Sequence, residues 1–227
     1  LQAFLAAPPA NLVHVHLHDN KGAEETGDPH LALGEGVVDV AGVLQGWTDI
    51  ALNRKGREQA RDLSRLLERV RFDHVCSSPL KRAAETAHIV AERLDLPAPS
   101  FHPGLKERCF GIAQGRPKAE LSLTHPDMLR GILRRDPSTH FEQGESGREF
   151  HERVTDAIHD IAERYAGARV LVITHGWVMD VITRHIRHLP HDAVLARRRR
   201  NGETLWIKVR PGVAIGASHE NRSRAPA

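Results

Sequence analysis

Arg82, in Cys76-Ser77-Ser78-Pro79-Leu80-Lys81-Arg82, and His175, in Ile173-Thr174-His175-Gly176, are the residues of this chain best placed to do chemistry. Each follows strand-like text within a few residues, and ligands of open α/β folds gather at the C-terminal ends of parallel strands. An arginine there can grip a tetrahedral oxyanion through two parallel N–H donors. A histidine followed by glycine can meet the same anion, because a residue without Cβ lets the backbone approach. Together they suit phosphate. Phosphoryl transfer needs positive hydrogen-bonding groups around three oxygens, an in-line nucleophile and an acid for the leaving group. In isolation a helical Arg is usually solvated and a lone His usually structural, so the surrounding text decides.

The elements that must position these residues are legible. From Gly42 onward strands and helices alternate. Asn53 suits an N-cap, ahead of Ala60, Leu63, Leu66, Leu67 and Val70 at helical spacing. A short strand over 73–76 leads through Ser77-Ser78 to a helix with Pro79 at its first position, running to about Leu94. Ser146 and Glu149 form a capping box before the stripe Phe150, Val154, Ala157, Ile158, Ile161 and Tyr165. Residues 169–174 read as a buried parallel strand, a helix opens after Gly176, and 204–209 reads as a late, edge-type strand. This rhythm predicts an α/β fold of three layers, α/β/α, with a mostly parallel sheet covered on both faces. The tail after Gly216 is small and polar and reads as disordered.

Composition sets the outer bounds. At 227 residues, 40% hydrophobic and 27% charged, the chain has the makings of one globular α/β domain. A net charge of +3 argues only weakly for a polyanionic partner. Arg197-Arg198-Arg199-Arg200 lacks aromatic neighbours and reads as a solvated turn, so no nucleic-acid partner is expected. No apolar run nears the roughly 20 residues of a membrane span. Cys76 and Cys109 show neither metal nor disulfide spacing, which predicts a reducing, cytoplasmic setting. The chain opens on Leu1 without an initiator Met, which reads as a fragment boundary.

The run Ser77-Ser78-Pro79-Leu80-Lys81-Arg82-Ala83-Ala84-Glu85-Thr86-Ala87, with Thr174-His175-Gly176, resembles two of the three signatures of the histidine phosphatase superfamily, the phosphoglycerate-mutase-like phosphatases. Gly42-Val43-Leu44-Gln45-Gly46-Trp47-Thr48-Asp49, Leu52 and Gly56-Arg57-Glu58-Gln59-Ala60 are similar to the same family. The resemblance covers about residues 42–212. It implies a phosphoglycerate-mutase-like fold and a phosphomonoesterase acting on a small phosphorylated metabolite through a phosphohistidine, with no cofactor and no metal. It implies phosphate binding by Arg82 and His175, and catalysis by His175 and by Glu107 as the acid, the latter in Leu105-Lys106-Glu107-Arg108-Cys109-Phe110-Gly111. The segment between Gly111 and Gly144 is short for the larger cap of the mutases, and a homodimer is compatible with the family. Gly144-Glu145-Ser146 also matches a family stretch, although the capping box explains it without catalysis.

The third signature, Arg-His-Gly-Glu, is absent. In the register of Gln45 the nucleophile position falls on Leu33, the preceding Arg on Ala32 and a phosphate-contacting Asn on Asp39. A second register exists in Leu12-Val13-His14-Val15-His16-Leu17-His18-Asp19. If this alternating text supplies the missing first strand, His18 takes the nucleophile position, at a loop-entropy cost of about 1 kcal/mol or less. Leu17 would still leave an arginine missing, so activity is expected to be weak or lost, and an inactive phosphate-binding protein is the alternative. Residues 1–41 also resemble late strands of xylose-isomerase-like TIM barrels, in which His16, Asp28 and His30 would be metal ligands. That resemblance implies a chimera of two families, with a metal-dependent sugar isomerase fragment as a third reading.

Overall fold

A computed structural model of the chain describes residues 43–195 and 204–209, together with the backbone of residues 11–17 and 216–217. Six strands form one sheet in the order β3-β2-β4-β1-β5-β6. They are β1 (Asn11–Leu17), β2 (His74–Ser77), β3 (Ser100–Phe101), β4 (Arg169–Thr174), β5 (Thr204–Val209) and β6 (Gly216–Ala217). β1 and β2 flank β4 in parallel and β3 is parallel to β2, whereas β5 and β6 run antiparallel. The helices are α1 (Arg54–Leu67), α2 (Lys81–Arg93), α3 (Lys118–Thr124), α4 (Pro126–Arg134), α5 (Gly147–Arg164) and α6 (Gly176–Ile186).

The layers follow from alternation along β4. Val170 and Val172 pack with Phe150, Val154, Ile158 and Ile161 of α5 and with Val178 and Ile182 of α6. Leu171 and Ile173 face the other way, against Leu63 and Leu67 of α1 and Ala83, Ala87 and Val90 of α2. Successive strand side chains point to opposite faces, so a strand covered on both sides must be apolar throughout. Each buried Val, Leu, Ile or Phe among them contributes about 1.5–3 kcal/mol.

Local signals hold where a side chain closes a turn. The Asn53 side chain accepts from Gly56 N–H, and Ser146 and Glu149 complete the capping box of α5. Three expectations need correction. Pro79 precedes α2 rather than opening it: Ser78 Oγ accepts from Leu80 N–H at 3.3 Å and Asp49 Oδ1 from Lys81 N–H at 2.7 Å, which starts the helix at Lys81. β2 begins one residue later than read and ends at Ser77. β5 is interior, because β1 lies on one side of it and β6 on the other. The short helices α3 and α4 went unread, although Pro126 at the first position of α4 is an ordinary helix start.

Residues 11–17 join the central sheet, with Leu12 opposite Arg169 and Leu17 opposite Thr174. They therefore pair inside the same sheet as the Ser77 and His175 strands, not as a piece of a separate barrel. His18, Asp28, His30, Ala32, Leu33, Asp39, the Arg197–Arg200 run and the tail beyond Ala217 lie outside the described residues.

Candidate functional site

Parallel pairing puts Ser77 opposite Ile173, so the chain leaves β2 and β4 at the same edge of the sheet. There His175 Nε2 and Ser78 Oγ lie 2.8 Å apart, while Ser78 N–H donates to Ile173 O at 2.9 Å. His175 is 1% exposed and sits at the N-cap of α6. The first turn of an eleven-residue helix thus begins beside it, a position where backbone N–H groups favour anions.

Arg82, 2% exposed, lies in the first turn of α2 on the same edge. Its Nη2 donates to Gly46 O at 2.8 Å and its Nη1 to Thr48 O at 3.2 Å. Sequence reading assigned Arg82 to an anion alone; in the fold it also pins the Gly46–Thr48 turn. Gly46 has φ +53, and a Cβ there would run into the Gln114 side chain, so no other residue suits the turn.

That turn links Arg82 to Glu107. Trp47 Nε1 donates to Glu107 O at 2.6 Å, and Trp47 N–H donates to Gln114 Oε1 at 2.6 Å. Thr174 Oγ1 donates to Leu105 O at 2.8 Å, tying the Glu107 loop to the residue before His175. Glu107 is 7% exposed, and its Oε1 accepts from Arg108 N–H at 3.0 Å. The three residues are therefore gathered at one sheet edge by the Gly46–Thr48 turn and the Leu105–Glu107 loop.

Sequence reading missed the groups that hold this arrangement. Ser78, legible in the sequence only as the end of a strand and part of the family run, contacts His175. Arg153 of α5 donates to Gly104 O at 2.7 Å, Lys106 O at 3.1 Å and Glu107 O at 3.2 Å. It also pairs with both oxygens of Glu145, Nε to Oε1 at 2.6 Å and Nη2 to Oε2 at 2.8 Å. Glu145 Oε2 in turn accepts from Cys109 N–H at 2.8 Å, so this residue does more than precede a cap. A signal existed: Arg153 occupies a position of the α5 stripe, three after Phe150 and four before Ala157, where a charge has no place unless paired. Arg108, fully buried behind Glu107, donates to Thr139 O and Glu145 O; burial lowers its pKa to about 10 against the opposing pull of Glu145 and Glu107.

Among the described residues no group of three or more His, Cys, Asp or Glu side chains is arranged to hold a metal ion. No helix among them is long and apolar enough to cross a membrane.

An arginine and a histidine gathered at one edge of a mostly parallel sheet with helices on both faces define an α/β class of protein, and comparison with known proteins gives it a family. Residues 34–218 match the histidine phosphatase superfamily (branch 1), and the chain belongs to that family. It is 34% identical over 138 residues to phosphoglycerate mutase-like protein 4 of Arabidopsis thaliana, covering 60% of each chain. It is 34% identical over 151 residues to the metal-independent phosphoserine phosphatase of the same plant, covering 66% of this chain and 63% of that one. The chain thus spans about six tenths of the length of these relatives. YhfR of Bacillus stearothermophilus shares the fold, with a TM-score of 0.76 at 24% identity over 93% of this chain and 96% of that one. The match reaches upstream to Gly34-Glu35, beyond the expected start at residue 42.

Proposed function

We propose that the chain is a phosphomonoesterase that hydrolyses a small phosphorylated metabolite through a phosphohistidine, without metal or cofactor. The observation that carries this reading is the His175–Ser78 contact at the shared edge of β2 and β4, with Arg82 in the first turn of the helix that follows β2. Arg82 and His175 bind the phosphoryl oxygens. His18 attacks phosphorus as the ester P–O bond breaks, and the Glu107 carboxyl gives its proton to the departing oxygen. Water then attacks the phosphohistidine, Glu107 takes the water's proton, and phosphate leaves with His18 restored. Support for His18 comes from register: Leu17 pairs with Thr174, and the next residues in sequence are His18 and His175.

Leu17, Ala32 and Leu33 supply no guanidinium beside the nucleophile. One lost charged contact to the transition state costs about 2.7–4 kcal/mol, or 10²–10³ in rate, so turnover is slow. The sequence feature favouring the second reading, an inactive phosphate binder, is Leu33 at the family's nucleophile register. Turnover of p-nitrophenyl phosphate by wild type, His18→Ala and His175→Ala, with and without chelator, separates them. Weak, chelator-insensitive turnover lost in both variants is expected. Robust turnover in His18→Ala overturns the nucleophile assignment, and phosphate binding without turnover establishes the inactive binder.

The same reading takes residues 42–215 as the phosphatase domain, 1–41 as an atypical leading segment that lends β1 to its sheet and 216–227 as a tail whose first two residues form β6, in a cytoplasmic protein able to form a homodimer. The chimera and the isomerase fragment draw no support, since β1 pairs with β4 inside the same sheet.

A further inference from the structure

Arg135 joins the 111–144 segment to the start of α6. It is the C-cap of α4 with φ 56 and ψ 40, the left-handed conformation that glycine adopts most readily. From there its Nε reaches Asp180 Oδ2 at 2.6 Å, and that carboxylate is 1% exposed. The guanidinium carbon stands 5.1 Å from the ring centroid of Trp177. The same head group fills the space beside Gly176, where an added Cβ would meet Nη2 at 2.9 Å and Nη1 at 3.2 Å. Gly176 does not have a positive φ, and the atoms an added Cβ would meet first are the Arg135 guanidinium nitrogens, so a larger residue there must push that head group off Asp180 and Trp177. A cation beside a helix N-terminus opposes the helix dipole, and Asp180 offsets it. The pair therefore contributes geometry rather than net charge.

We propose that Arg135 is a positioning residue for His175: by packing into the Cβ space of Gly176 and tying α4 to Asp180, it fixes the strand-to-helix turn that aims the imidazole. The inference rests on the reading of His175 as a phosphate ligand, and it makes anion binding depend on the 111–144 segment. The test is a double-mutant cycle, read by phosphate affinity and by the NMR signals of the His175 ring. Gly176→Ala and Arg135→Ala should each weaken phosphate binding about tenfold, as coupling through contacts of this kind does. The double variant should be no worse than the weaker single one, because removing the guanidinium makes room for the new methyl. Arg135→Lys should behave like Arg135→Ala, since an ammonium cannot keep the planar contacts with Asp180 and Trp177. Arg130→Ala, an exposed arginine of the same helix, should change nothing. Additive losses in the double variant, or full recovery by Arg135→Lys, overturn the proposal. If wild type binds no phosphate, the phosphate-ligand reading of His175 fails; displacement of the His175 ring signals in the Arg135 variants then still decides the positioning claim. If Arg135→Ala does not fold, Gly176→Ala alone serves, because it leaves the arginine and its charge in place. An unmoved His175 signal there sinks the idea.

Discussion

Arg153→Met would release the loop that carries Glu107. The wild-type guanidinium makes five bonds of 2.6–3.2 Å, two to Glu145 and three to the carbonyls of Gly104, Lys106 and Glu107. Methionine keeps the stem packed on α5 but leaves the Glu145 carboxylate with Cys109 N–H. Breaking one side of a buried ion pair costs about 3–5 kcal/mol. Here the side chains are 22% and 15% exposed, so water offsets part of it and the low end, about 3 kcal/mol, applies. For a chain of this size that lowers Tm by about 6–12 °C. The catalytic signature is sharper. If Glu107 protonates the leaving oxygen, loosening its loop should slow an alkyl phosphate by about 10²-fold, the lower end of what a positioned acid contributes. The same change should barely touch p-nitrophenyl phosphate, whose phenolate leaves without help. Melting curves and kcat/KM on both esters check this. Equal losses on the two substrates would refute the role given to Glu107, and an unchanged Tm would refute the role given to Arg153.

Millimolar phosphate or vanadate should raise Tm, and Arg82→Ala should remove most of that rise while also lowering the ligand-free Tm, because Arg82 holds the Gly46–Thr48 turn; thermal shift with and without anion checks both. Ser146→Ala should cost about 1 kcal/mol through loss of the α5 cap, read as a lower urea midpoint with an unchanged slope. Acid should destabilise the fold through His151 and His185. Burial lowers both pKa values, reinforced for His151 by His191 and Arg184 and for His185 by His151, His159 and His188. Both bind a proton more readily unfolded than folded, so their contribution is whole above about pH 6.5 and is lost as pH falls below it. Tm should therefore drop between pH 7.5 and 5.5, and His151→Gln should flatten the drop.

Much of the fold was legible because its signals are local. The caps at Asn53 and Ser146 and the apolar stripe of α5 need only neighbours a few residues away. The apolar run from Val170 to Ile173 in β4 announced burial on both faces. What was misread depended on distant partners. The start of α2 is set by Asp49, thirty-two residues upstream, so Pro79 could not reveal it. The interior place of β5 depends on pairing with β1 and β6, which periodicity cannot show.

The sequence by itself determined the family, the kinds of residue available to meet phosphate and the absence of its usual Arg-His-Gly-Glu text, because motif and spacing are properties of the chain. It could not tell that Arg82 also clamps the Gly46–Thr48 turn, that Arg153 and Glu145 anchor the Glu107 loop, or that the Arg135 guanidinium lies against Gly176. Those were decided only in the tertiary structure. Each is a contact between groups far apart in sequence, and the desolvation of a buried charge forces such groups to find one another only once the chain has folded.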